Sequence, residues 1–160
     1  TIIGGIFAAG DCDPRPRLPI AGEWAPDEPA LRIFDQGTGG AVSFEGSAIF
    51  GDVQLRFDRL VLDHSLVYGS VRAFPGTREV ELTSSLVRAD QNAEHRVPAA
   101  ISAAGCTVTL TASLARGGSP GTRQVPGGAG VVCGALVTGR GGRARGGLGA
   151  PRGPDLVIQP

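Results

Sequence analysis

The stretch that decides the predicted fold is Cys106-Thr-Val-Thr-Leu-Thr-Ala-Ser-Leu114. Apolar side chains at 106, 108, 110, 112 and 114 alternate with hydroxyl side chains at the positions between them. An alternation with a period of two is typical of a strand that buries one face. We therefore expect Val108 and Leu110 to be buried and the three threonines of this stretch to face outward.

The same reading outward along the chain predicts further strands, at residues 41–50, 52–63, 66–74, 78–86, 130–138 and 156–159. Within 52–63 the apolar parity switches at Asp58-Arg59, which indicates a β-bulge. Turn residues separate the strands at Gly51-Asp52, His64-Ser65 and Pro75-Gly76, spaced as hairpin turns would be. The sequence thus predicts an all-β fold, an antiparallel β-sandwich or small barrel, with Phe44, Leu55 and Phe57 in its core.

Length and composition set the domain organisation. A chain of 160 residues corresponds to about one domain, and 26 glycines with 12 prolines argue against long helices. Residues 1–40 are rich in proline and predict an extended N-terminal segment; residues 41–138 form the β domain, and residues 139–160 form a Gly/Arg-rich C-terminal arm. The longest apolar stretch, Thr1 to Gly10, is too short to span a membrane.

Charge is distributed unevenly although the formal net charge is zero. Residues 1–94 contain eight arginines and fourteen acidic residues, whereas residues 95–160 contain seven arginines and one aspartate. This separation favours packing of the arm on an acidic surface of a neighbouring subunit, in a homo-oligomer or a larger assembly. We assign that contact, or the binding of an anion, to Arg140, Arg143 and Arg145; nucleic acid is the alternative partner of the arm.

Catalytic and metal-binding patterns are weak. Asp63-His64 places a carboxylate beside an imidazole, and Glu79 and Glu81 share one strand face, but any amphipathic strand or polar turn shows the same arrangement. No Cys-x-x-Cys pair is present, so we expect no structural zinc and no cofactor. The sequence favours a protein that is not an enzyme.

The cysteines leave two interpretations. Cys106 and Cys133 fall in predicted strands on parities that face the interior, which is compatible with a disulfide between adjacent strands. The other interpretation is a pair of buried free thiols that act as small apolar side chains. Cys12 is left over in both.

Together these patterns indicate a non-enzymatic structural subunit of a larger assembly, of the type found in viral or phage particles, that packs through charge-complementary arms. A virion or an extracellular setting is favoured. The alternative is a secreted or surface β-barrel or sandwich module that binds a small molecule, with or without enzymatic activity.

Overall fold

The structure is a computed structural model that describes residues 1–8, 30–34, 40–89, 97–120 and 125–160. The described residues form short strands and no helix. The strands are β1 Ile2–Ile3, β2 Ile6–Ala8, β3 Leu31–Phe34, β4 Ala41–Glu45, β5 Ala48–Phe50, β6 Val53–Arg56, β7 Arg59–Asp63, β8 Leu66–Tyr68, β9 Val71–Ala73, β10 Glu79–Thr83, β11 Leu86–Arg88, β12 Ile101–Thr111, β13 Leu114–Arg116, β14 Val131–Thr138, β15 Arg143–Arg145 and β16 Leu156–Ile158.

All of these strands pair in parallel, which contradicts the predicted antiparallel sandwich or barrel. Each strand lies beside the strand one turn of the chain earlier or later: β4 pairs with β7, β7 with β10, and β10 with the second half of β12. The chain therefore winds as a parallel β-helix, in which each turn adds one rung. The first of these steps takes 18 residues, from Ala41 to Arg59, and the second takes 20, from Arg59 to Glu79.

Each rung contributes strands to three faces. Face one contains β1, β4, β7, β10 and the second halves of β12 and β14. Face two is the six-stranded sheet of β2, β5, β8, β11, β13 and β15. Face three contains β3, β6, β9, the first halves of β12 and β14, and β16. Strands β12 and β14 run around one corner without a break, with a register shift between Ala103 and Thr107.

The core lies inside the three faces. Phe44, Leu55, Val108 and Leu110 are fully buried, which confirms the predicted parity of those strands, whereas Phe57 is only half-buried. Inward side chains stack in columns from rung to rung, as in Phe44, Leu62, Leu82 and Leu110. Phe7 caps this interior by contacting Phe44 edge-to-face, with 5.9 Å between ring centroids.

The wrong prediction of antiparallel pairing has a local cause in the sequence. A corner of a parallel β-helix and a hairpin turn both require residues that reverse or bend the chain, and both separate strands with a period of two. The parity switch at Asp58-Arg59 is such a corner, since β6 ends at Arg56 on face three and β7 begins at Arg59 on face one. The direction of strand pairing follows only from the repeat between rungs, and the alternation of apolar residues within a strand does not reveal that repeat.

In the last two rungs, the corner between faces two and three is rich in glycine. We call this region the glycine corner: residues 97–100, 117–118, 127–130, 146–147 and 153–154. Backbone hydrogen bonds cross it in one continuous series, from Gly118 N to Pro98 O, Gly128 N to Gly118 O, Gly147 N to Gly128 O and Gly153 N to Gly147 O, at 2.8–3.0 Å. A Cβ atom on Gly147 would lie 1.7 Å from Gly118 O, so only glycine permits this approach.

The three segments predicted from the sequence, residues 1–40, 41–138 and 139–160, contribute strands to the same sheets. Residues 2–8 and 31–34 supply strands to the first rung, and residues 143–145 and 156–158 supply strands to the last. The backbone partners of the Gly/Arg-rich segment come from its own chain, as in Arg143 N to Ser113 O at 2.8 Å. The domain boundaries themselves stay a prediction, and most of residues 1–40 lies outside the described residues.

Candidate functional site

The corner between faces one and two carries a repeated local structure. Gly46, His64, Ser84 and Ala112 have positive φ angles of 47–57°, and each precedes a buried serine. We call Ser47, Ser65, Ser85 and Ser113 the serine corner. The left-handed residue turns the chain, and the serine that follows it points its hydroxyl inward.

The buried hydroxyls of the serine corner bind one another's backbones. The N–H of Ser47 donates to Ser65 Oγ at 3.1 Å, that of Ser65 to Ser85 Oγ at 3.0 Å, and that of Ser85 to Ser113 Oγ at 3.0 Å. Each of the last three hydroxyls also donates to the carbonyl two residues earlier, at 2.7–2.8 Å. This series satisfies the polar groups that the turns would otherwise leave unpaired in the core.

The outer side of this corner is a groove of about 670 Å³ that runs across the rungs. Its floor is formed by the left-handed turns, and its wall on face two by outward leucines. The side chains and turns that line it are His64, Ser84, Ala112 and Gly141 on the corner, Leu66, Leu86 and Leu114 on the wall, and Arg143 and Arg145 at the end towards the last rung.

The Asp63-His64 pair lies at one side of this groove. His64 Nδ1 is 2.8 Å from Asp63 Oδ1, but no described donor meets that oxygen with hydrogen-bond geometry. The imidazole is exposed, and no hydrogen bond among the described residues joins it to Ser84 on the next rung. The pair is a close polar contact at a turn and does not form an oriented base and nucleophile.

The two acidic residues of β10 also acquire a structural partner. The Arg59 guanidinium contacts Glu79 at 3.3 Å and Glu81 at hydrogen-bond distance. The hydrogen bond from Arg59 to Glu81, together with both negative charges, raises the pKa of the arginine. Arg59 thus neutralises the pair that the sequence offered as a candidate for acid–base chemistry.

Face two carries an outward column of aromatic and then basic side chains. In register on successive rungs are Phe50, Tyr68, Arg88, Arg116 and Arg145. The Phe50 and Tyr68 rings are stacked, with centroids 5.8 Å apart and an interplanar angle of 5°. We call Arg88, Arg116 and Arg145 the arginine column; no carboxylate of the described residues lies within 4.0 Å of these guanidinium groups.

The three arginines predicted from the sequence all lie on the last rung. Arg140 is exposed in the turn before β15, and Arg143 and Arg145 are exposed within it. Only Arg145 joins the arginine column, while Arg143 follows Leu114 in the neighbouring column. Whether the three contact a subunit, an anion or a nucleic acid stays a prediction.

Sequence reasoning missed Arg88, Arg116 and the aromatic pair beside them. The signal is the constant position of these residues: each is the third residue after a left-handed turn and its serine, as in Ser65-Leu-Val-Tyr68, Ser85-Leu-Val-Arg88 and Ser113-Leu-Ala-Arg116. This repeat predicts one outward column, and it also identifies the rungs.

The structure gives Cys106 and Cys133 as free, buried thiols, so the disulfide that we considered is not formed in it. Cys106 Sγ donates to Thr77 O at 3.0 Å. Burial raises the pKa of both thiols, and for Cys133 the neighbouring Cys106 raises it further. Cys12 lies outside the described residues.

Among the described residues, no group of three His, Cys, Asp or Glu side chains is placed to hold a metal ion. Nor do they include a helix with the length and apolar character needed to cross a membrane. In the comparisons with known proteins, no family model, no curated protein and no solved structure matches this chain.

Proposed function

We propose that the protein is a non-enzymatic structural subunit that joins a larger assembly through the open ends of its β-helix. The observation that carries the proposal is the exposure of inward-facing core positions on the last rung. A solenoid needs polar terminal repeats to stay soluble alone, because each rung buries its core only against its neighbours. A rung whose inward-facing side chains are exposed therefore favours contact with a further rung.

The last rung continues two buried columns without covering them. Leu156 lies in register with Val131, and Ile158 with Cys133, both of which are fully buried. Leu156 is nevertheless 39% exposed and Ile158 54% exposed. A further rung stacked on β16 would remove these side chains from water, at about 25 cal/mol for each Å² buried.

The first rung shows the same feature at the opposite end. Ile2 lies in register with Phe44, which is fully buried, yet Ile2 is 37% exposed. Among the described strands, β1 and β15 are the outermost of their sheets, and unpaired parallel edges are templates for strand pairing. Head-to-tail stacking of copies would pair a last rung with a first rung and bury both ends.

The arginines of the last rung fit this arrangement. Arg140, Arg143 and Arg145 are exposed on the last rung, which supports the proposal that they contact acidic side chains of a neighbouring copy. The setting in a viral or phage particle belongs to the same proposal.

Sedimentation of the chain over a range of concentrations tests the proposal. We expect wild-type protein to form multimers as its concentration rises, and Ile158→Arg to remain monomeric because a charge would be buried in the stacked end. The matched control is Val137→Arg, which changes an exposed, outward-facing residue of the same rung. A wild-type chain that is monomeric throughout, or equal loss of association in both variants, would contradict stacking through the core.

A further inference from the structure

Beyond assembly, we propose that face two binds an acidic polysaccharide, which would lie across the rungs along the groove. Carboxylate or sulfate groups of the polymer would contact the arginine column. The apolar faces of its sugar rings would contact the adjacent leucine strip, Leu66, Leu86 and Leu114.

The arginine column is a linear array of like charges. Arg88, Arg116 and Arg145 occupy the same position on consecutive rungs, so their backbones are about 4.8 Å apart. Like charges placed directly opposite each other on neighbouring strands destabilise a sheet. A bound polyanion would remove this repulsion, and arginine binds carboxylate and sulfate-like oxygens in a bidentate manner.

The described part of the chain offers few free carboxylates to this column. Among the described residues only Glu45 has no partner. Each of the other six carboxylates has a close polar contact: Asp52 with Ser70 N, Asp58 with Arg78, Asp63 with His64, Glu79 and Glu81 with Arg59, and Asp155 with Arg152 and Gly146 N. The described carboxylates are thus largely engaged, which leaves the column open to an external polyanion.

The leucine strip adds an apolar surface beside the charged arginine column. Leu66, Leu86 and Leu114 are in register with one another and lie two residues before Tyr68, Arg88 and Arg116, on the same outer side of face two. An apolar strip beside a charged row fits a polymer that exposes C–H surfaces and acidic groups along one repeat. The rung spacing is close to the length of one sugar unit, so each rung would meet a similar part of the polymer.

Single-stranded nucleic acid fits this face less well. Proteins that bind it generally stack bases on aromatic rings that alternate with basic side chains. Here the two aromatic rings of the column, Phe50 and Tyr68, stack on each other, and the strands that carry its arginines, β11, β13 and β15, contain no aromatic residue. The face offers charge and aliphatic surface, not a platform for bases.

Binding of polygalacturonate and of heparin to the full chain, measured by calorimetry at low salt, tests the proposal. The first probe supplies carboxylates and the second adds sulfates, so their relative affinity identifies the acidic group. We expect R88S/R116S/R145S to weaken binding at least tenfold. We expect R88K/R116K/R145K to weaken it by a smaller factor, because lysine keeps the charge but loses the bidentate fork.

The matched control is R32S/R56S/R72S, which removes the same charge from exposed positions on face three, where the arginines form no consecutive column. We expect less than a twofold change in this variant, and unchanged circular dichroism in all three. Equal weakening in the two serine variants would reduce the effect to net charge and overturn the proposal. Absence of binding to both polysaccharides, or tighter binding of a single-stranded oligonucleotide, would also overturn it.

Discussion

The serine corner and the glycine corner solve the same problem in opposite ways. Both turn the chain between faces of the helix, and both must satisfy backbone polar groups away from water. The serine corner does so with side chains, since each hydroxyl accepts a backbone N–H from the neighbouring rung. The glycine corner does so by removing side chains, so that one backbone donates directly to the next.

The comparison shows how one architecture tolerates rungs of different length. Where the serine corner sets the path, the residues that precede and follow it occupy constant positions in every rung. Where the glycine corner sets the path, the segments between β11 and β12, β13 and β14, and β15 and β16 all differ in length. Insertions in a solenoid accumulate at one corner when the others carry the repeat.

The core that both corners enclose sets the scale of the expected effects. Leu62→Ala should lower the free energy of unfolding by about 2–5 kcal/mol, because Leu62 is fully buried between Phe44 and Leu82. Chemical denaturation measures the change. Val61→Ala is the control, since Val61 is the adjacent outward position; an equal loss there would show that the strand faces the other way.

Particular residues show how much of the fold and of the candidate site the sequence could predict. Alternation placed Leu55, Val108 and Leu110 inside because period two holds for parallel and antiparallel strands alike. The direction of pairing was wrong because His64-Ser65 has the composition of any tight turn. The site depends on which rung lies beside which, and Arg88 and Arg116 are 28 residues apart in sequence. Their proximity follows only once the repeat of serine positions is used.

Substitution in the glycine corner should have the next largest effect. Gly147→Ala should destabilise the protein by about 2–3 kcal/mol, because the new Cβ would overlap Gly118 O and force two backbones apart. Gly46→Ala is the control: it has open space around it but a φ of +57°, so the cost is backbone strain of about 1 kcal/mol. If thermal unfolding shows the two variants to be equally stable, the close approach at the glycine corner is not required.

Substitution in the serine corner should destabilise the protein less than Gly147→Ala, and its effect should be measurable on the neighbouring rung. Ser85→Ala removes the acceptor of Ser65 N and leaves that buried donor unpaired, at a cost of about 1–2 kcal/mol. Amide hydrogen exchange should then accelerate at Ser65, the residue whose N–H loses its partner. Ser102→Ala, at an outward position of β12 that is half-buried, should change neither stability nor exchange.

The smallest effect concerns pH and the two thiols, which are buried on β12 and β14. Because the folded protein raises the pKa of Cys106 and Cys133 above the ordinary value of 9.0, it retains their protons where the unfolded chain loses them. Stability that is complete below pH 9 should therefore fall as pH rises through the ordinary pKa towards the folded value. Denaturation midpoints of wild type and C106A/C133A between about pH 7 and pH 10 measure it. The double variant should show the shallower decline, and parallel curves for the two proteins would mean that the thiols do not titrate with unfolding.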